Sequence, residues 1–255
     1  MNKRNYLFLT FAILIFFIAC KKETGSLESA ALSDYMPMQV GKYITYRLDS
    51  LLFVDFGRKD TIVSYQAKDV VAEMFTDNLG RDAYRVVRYQ RDVNSMNESD
   101  WAPVMTYTVV PSREAIELVE NNLRFQKLML PVSEGFNWHG NTFLPANPYE
   151  YFSPFSNDED MPYWDYTYQD VDFPLTINNF DFDSTITIHQ VADSSNVPIT
   201  EPDGLAYKNY WIEQYAKHIG LVYREQIMWE YQPPNGSIPG FKSGFGIIMT
   251  IIDHN

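Results

Sequence analysis

A basic head, a short apolar run and a lone cysteine open this chain, and together they limit how the rest of it can be stabilised. Lys3 and Arg4 precede the run from Leu7 to Ala19, and Cys20, the only cysteine of the 255 residues, closes it. A charged start, an apolar middle of this length and a small residue at the cut site make an export signal. The run is too short to cross a bilayer, which takes about 20 apolar residues. One cysteine forms no internal disulfide, so the exported body must be held by its core.

Phe17-Ile18-Ala19-Cys20 resembles the lipobox of bacterial lipoproteins. The resemblance implies cleavage before Cys20, a diacylglyceryl thioether on its sulfur and a palmitate-like acyl chain on the new amino terminus. Two or more chains hold a protein stably at a bilayer, at about 0.8 kcal/mol per buried CH₂. Lys21 follows the cysteine, where an Asp would mark inner-membrane retention in Gram-negative lipoproteins. The expected home is therefore the outer membrane, through the lipid on Cys20, with either leaflet open. An ordinary cleaved signal peptide or an uncleaved anchor is the competing reading.

Removal of residues 1–19 leaves 236 of the 255 and takes the formal charge from −13 to −15, since Lys3 and Arg4 are the charges lost. So acidic a chain is repelled by phosphate backbones, which argues against nucleic acid. Aromatic residues make up 16%, a content that suits β-sheet faces and recognition surfaces.

Residues 20–35 are polar and small and read as a lipidated flexible tether; residues 36–255 read as a single β-rich domain. Ile44, Tyr46 and Leu48 alternate with Thr45, Arg47 and Asp49 as a half-buried strand does. Thr61 to Phe75 and Ala83 to Gln90 form the arms of a hairpin, and Ala115 to Val119 and Leu123 to Leu130 those of another. Phe182 to Val191, Leu221 to Tyr231 and Phe245 to Ile252 are further strands. Tyr207, Tyr210, Trp211, Gln214, Tyr215 and His218 recur at three- and four-residue steps, which predicts a short amphipathic helix. Pro131 to Pro174, rich in aromatics and acids, reads as a long loop. The expected fold is mainly β: a curved antiparallel sheet or half-barrel meander with one short helix and a long aromatic-acidic loop. A membrane β-barrel is disfavoured by charges on both faces of the strands, among them Arg85, Arg88, Arg224 and Glu225.

The segment Tyr215 to Glu225, Tyr-Ala-Lys-His-Ile-Gly-Leu-Val-Tyr-Arg-Glu, resembles one near the C-terminus of many uncharacterised Gram-negative envelope lipoproteins, where it leads into the last strands of a curved sheet. A glycine is more usual where His218 stands.

Motifs for catalysis are lacking: the sequence has no Gly-x-Ser-x-Gly, His-Glu-x-x-His, phosphate-binding glycine loop or Cys-x-x-Cys. A carboxylate-based hydrolase is the residual enzymatic reading, since paired acids in a cleft leave no sequence signature. Asp158-Glu159-Asp160, Asp170-Val171-Asp172 and Asp181-Phe182-Asp183 offer hard oxygens for Ca²⁺ without the twelve-residue calcium loop, so a solvated acidic loop is expected, with no metal and no cofactor. Tyr163, Trp164, Tyr166 and Tyr168 form the candidate recognition surface, against the alternative that Trp164, Tyr166 and Tyr168 are the core face of a strand. The function these features suggest is a non-enzymatic outer-membrane lipoprotein that binds an envelope protein partner as an accessory subunit. The alternatives are a carrier of a hydrophobic ligand in a half-open sheet and a glycan-binding surface lipoprotein.

Overall fold

The computed structural model describes residues 31–150 and 157–255. The expected signal peptide, Cys20 and the expected tether as far as residue 30 lie outside the described residues. At the end of the segment expected as a tether, Leu32–Tyr35 forms a helical turn, α1, with Leu32 and Tyr35 both buried. A helix of four residues has no stability of its own. It is held by that burial and by the His218 N–H, which donates to the Asp34 carbonyl at 2.5 Å.

Among the described residues twelve strands follow: β1 (Tyr43–Val54), β2 (Lys59–Thr76), β3 (Asp82–Asp92), β4 (Ala102–Pro111), β5 (Ala115–Glu120), β6 (Leu123–Met129), β7 (Asn137–His139), β8 (Asp165–Ile177), β9 (Phe180–Ser195), β10 (Ala206–Ala216), β11 (Gly220–Gln232) and β12 (Phe241–His254). They make one antiparallel sheet in the order β6-β5-β4-β3-β2-β1-β12-β11-β10-β9-β8-β7. Every neighbour in the sheet is a neighbour in sequence except the pair β1 and β12. The sheet rolls into a nearly closed barrel-like body, as the alternation of apolar and polar residues anticipates. Its two edges meet: the Gln126 N–H donates to the Gly140 carbonyl at 2.7 Å, and the Trp138 indole N–H donates to the Gln126 carbonyl at 2.8 Å. Tyr168 closes the seam further. Its hydroxyl donates to the Met129 carbonyl at 2.8 Å and accepts from the Met129 N–H at 2.9 Å.

Side chains directly opposite in an antiparallel pair share a face. Ile44, Tyr46 and Leu48 of β1 therefore stand beside Asp69, Ala67 and Tyr65 of β2, and Arg88 of β3 beside Asp69. The larger buried cluster fills one part of the interior with Trp138, Trp164, Tyr166, Tyr168, Trp211 and Tyr215. A second gathers Tyr46, Leu48, Phe182, Val222, Met249 and Ile251.

Two sequence expectations are corrected. Residues 207–216 are strand, not helix. The inward positions of β10 carry Asn209, Trp211, Glu213 and Tyr215, so polar residues at two inward sites erased the period-two signal. The expected loop from Pro131 to Pro174 shrinks as well, since Asp165–Ile177 is strand β8. Its acids and Pro174 lie on a strand whose far side pairs with β7 only over Asp165 to Thr167, and prolines are tolerated on such edges. The turn between β10 and β11 gives His218 a φ of 66°. That is the left-handed region glycine favours, which accounts for the glycine usual at this position in the similar segment.

If α1 is part of the body, Tyr35→Ala should lower the unfolding free energy by about 3 kcal/mol in urea titration. A change under about 0.5 kcal/mol, normal for an exposed site, would return residues 32–35 to the tether.

Candidate functional site

The four aromatic residues singled out in the sequence do not form one surface. Tyr163 closes a 3₁₀ turn (Met161–Tyr163) and is 75% exposed. Trp164, Tyr166 and Tyr168 are buried, Tyr166 and Tyr168 completely. The Trp164 ring meets Trp211 edge-to-face at 5.3 Å between centroids. The Tyr166 hydroxyl donates to Asn141 Oδ1 at 2.7 Å. Burial pushes the Tyr166 and Tyr168 phenols above their ordinary values. Three of the four are therefore core, because β8 starts at Asp165 and its alternation turns Tyr166 and Tyr168 inward. Cys20, the expected lipidation site, lies outside the described residues. Asp158, one of the calcium candidates, is buried and accepts the Tyr149 N–H at 2.9 Å. Among the described residues no group of three or more acids, histidines or cysteines is placed to hold a metal.

What the sequence did not flag is charge inside the roll. Arg88 makes a two-pronged pair with Asp69, Nε to Oδ1 and Nη2 to Oδ2, both at 2.7 Å. The Tyr107 hydroxyl from β4 adds a third bond to Asp69 Oδ2 at 3.0 Å. On the opposite wall, Glu213 Oε1 accepts from Lys127 Nζ at 2.9 Å and from Arg224 Nε at 2.8 Å. Its Oε2 accepts from the Tyr215 hydroxyl at 2.9 Å. Strands β2, β3 and β4 supply the first cluster, and β6, β10 and β11 the second. The signal available beforehand was weak: single charges such as Lys127 and Glu213 inside runs of otherwise apolar or aromatic residues.

Between the clusters lies a cavity of about 70 Å³, walled by Met36, Met38, Val86, Glu120, Arg224 and their neighbours. A hydrophobic cargo needs a concavity of several hundred Å³. This cavity is too small for one, and a second hollow of about 330 Å³ at the end of the roll is walled by Glu159, Asp160, Asp193, Asn209 and Glu230 beside Trp164, a lining too polar for a hydrophobic cargo.

The electrostatics stabilise charge at Glu213, Arg88 and Arg224, while at Lys127 burial outweighs the carboxylate and lowers the ammonium below its ordinary value. Burial pushes the Glu213 carboxyl up, but the Lys127 ammonium and the Arg224 guanidinium outweigh it and hold the carboxyl at about 2. Burial acts against the charged forms of Arg88 and Arg224, yet their carboxylate partners raise both above the ordinary guanidinium value. A general acid or base works best near the ambient pH. Glu213, Arg88 and Arg224 are all displaced away from it, as in structural ion-pair networks.

Compared with known proteins, the chain matches no family profile and no curated relative. Among solved structures it is similar to a candidate exported protein of YmcC-like fold from Bacteroides fragilis. Identity is 12%, the alignment covers 88% of this chain and 100% of that one, and the TM-score is 0.32. A likeness at that level carries neither fold nor role.

Two outcomes check the site. Trp164→Ala should cost about 3–5 kcal/mol of stability, as a buried ring does, where loss from a binding surface would leave stability nearly unchanged. The Glu213 carboxyl sits lower in the folded protein than its usual 4.5, so its contribution is complete above about pH 4.5 and is lost as pH falls toward 2. That loss should amount to about 3 kcal/mol in urea unfolding across the window. In Glu213→Gln the acid limb should be shallower by that amount.

Proposed function

We propose that this protein is a non-enzymatic, lipid-anchored lipoprotein of the outer membrane that binds an envelope protein as an accessory subunit. Its address follows from the sequence ending in Cys20. The observation that carries the binding role is the filled interior. With the inside of the roll occupied by aromatic side chains and mutually paired charges, recognition falls to the outer surface and the hairpin ends. Large apolar side chains stand exposed there, Phe56, Leu79 and Ile238 among them. The glycan reading loses its platform with the burial of Trp164, Tyr166 and Tyr168.

The test is affinity purification of the full-length protein from detergent-solubilised native membranes. A stoichiometric envelope protein should co-purify, and mass spectrometry of the purified chain should find it starting at Cys20 with an acylated sulfur. A bare Cys20 sulfur, residues 1–19 still attached, or a chain that purifies alone with its hairpin ends intact would overturn the reading.

A further inference from the structure

The turn joining β1 to β2 holds three successive residues in the left-handed region: Asp55 at φ 54°, Phe56 at 57° and Gly57 at 78°. Glycine and aspartate tolerate that conformation, whereas a bulky phenylalanine is strained in it. No burial compensates for the strain at Phe56, since the residue is 89% exposed. The ring is instead steadied in solvent by the Arg58 guanidinium, 5.6 Å from its centroid. Arg58 is fixed in turn by Asp55, with Nη2 2.9 Å from Oδ1.

A second turn lies against the first. The Lys242 N–H donates to the Gly57 carbonyl at 2.7 Å, and Lys242 Nζ pairs with Asp60 at 2.8 Å. A side chain at position 57 would run into the Lys242 backbone, so Gly57 permits this approach. Between the turns is a groove of about 430 Å³ lined by Phe56, Arg58, Ser237, Ile238, Pro239 and Phe241. The fold thus locks two hairpin ends together and holds apolar groups out between them.

Where the groove lies decides what can reach it. β1 runs twelve residues from Tyr43 to Val54, about 40 Å at roughly 3.3 Å per residue. α1 packs beside the β10–β11 turn, at the end of the roll opposite the groove. Ten residues, eleven Cα steps, separate Cys20 from Ala31. A chain of that length spans at most about 40 Å fully extended. Contact between the groove and the bilayer that holds Cys20 would require nearly complete extension. A protein is therefore the better-placed occupant. Around the groove Arg58, Lys59 and Lys242 face Asp55 and Asp60, one positive charge in surplus on a chain of net −13. An acidic partner is repelled by the body as a whole and tolerated here.

We propose that this groove is the docking site for an envelope protein that inserts an apolar side chain between the two turns and presents carboxylates to Arg58 and Lys59. The inference rests on the lipid-anchored, partner-binding reading above and names the surface.

The test places a benzophenone photocrosslinker at position 56 of the full-length protein in cells, with position 79 at the other end of the roll as control. One protein adduct is expected from position 56 and none from 79. The purified adduct partner should then bind the full-length wild-type protein, with affinity falling at least tenfold for Phe56→Asn, for Arg58→Glu and for Ile238→Ser on the second turn. Because asparagine accepts the left-handed region, Phe56→Asn should melt at or above the wild-type temperature while losing affinity. Unchanged affinity in all three variants, a lipid adduct alone, or a self-dimer abolished by Phe56→Asn would overturn the proposal. An adduct confined to position 79 would sink the groove and leave the partner-binding role standing. Absence of any protein adduct and of any co-purifying protein would remove both.

Discussion

The carboxylate of Glu213 is the point on which the rolled sheet depends. It takes a hydrogen bond from Lys127 on β6, near one edge of the sheet, and another from Arg224 on the neighbouring strand β11. The first tie spans the interior and joins the two halves of the chain, β1 to β6 and β7 to β12. Without it, closure would rest on the seam bonds at Gln126 and Met129 and on apolar contact. Buried ion pairs add little net stability over well-packed apolar residues, but losing one partner strands the others and costs about 3–5 kcal/mol. The network is therefore better understood as a constraint on arrangement than as a source of strength.

That constraint bears on register. A strand slipped by one residue turns all its side chains to the other face. In β10 such a slip would carry Glu213 outward and leave Lys127 and Arg224 buried without their anion. It would also bring Tyr210 and Ile212 inward in place of Trp211. The bidentate pair of Arg88 with Asp69 plays the same part between β2 and β3, reinforced by Tyr107. An interior of this kind tolerates few alternative pairings, which matters for a sheet of twelve strands that has a single cysteine in its sequence and so no disulfide.

Much of this architecture was legible beforehand. The strands β1, β2, β3, β5, β6, β9, β11 and β12 all follow from alternation bounded by turn residues. The failures share a physical origin. β10 looked helical because Asn209 and Glu213 occupy inward positions, and a buried charge is indistinguishable in sequence from an exposed one until its partner is known. In β11 Tyr223 and Ile227 are only half-buried, while Val222, Arg224 and Met228 on the other face, and Trp229, are buried. The aromatic candidates at Trp164, Tyr166 and Tyr168 were visible as a cluster, but composition does not separate a core from a platform. Phe56 drew no notice because its meaning lies in a backbone angle.

The sheet order carries a consequence for how the chain comes together. Each half is a run of pairings between strands adjacent in sequence, the local kind of contact that forms quickly. Only β1 against β12 joins residues as remote as Ile44 and His254. The chain thus holds two meanders able to condense early and one late docking event between its ends. Until that docking takes place, the first meander carries one flank of β1 unpaired. That flank is a bare strand edge, the kind of template to which foreign strands add, and the body is sealed only when its final fourteen-residue strand arrives.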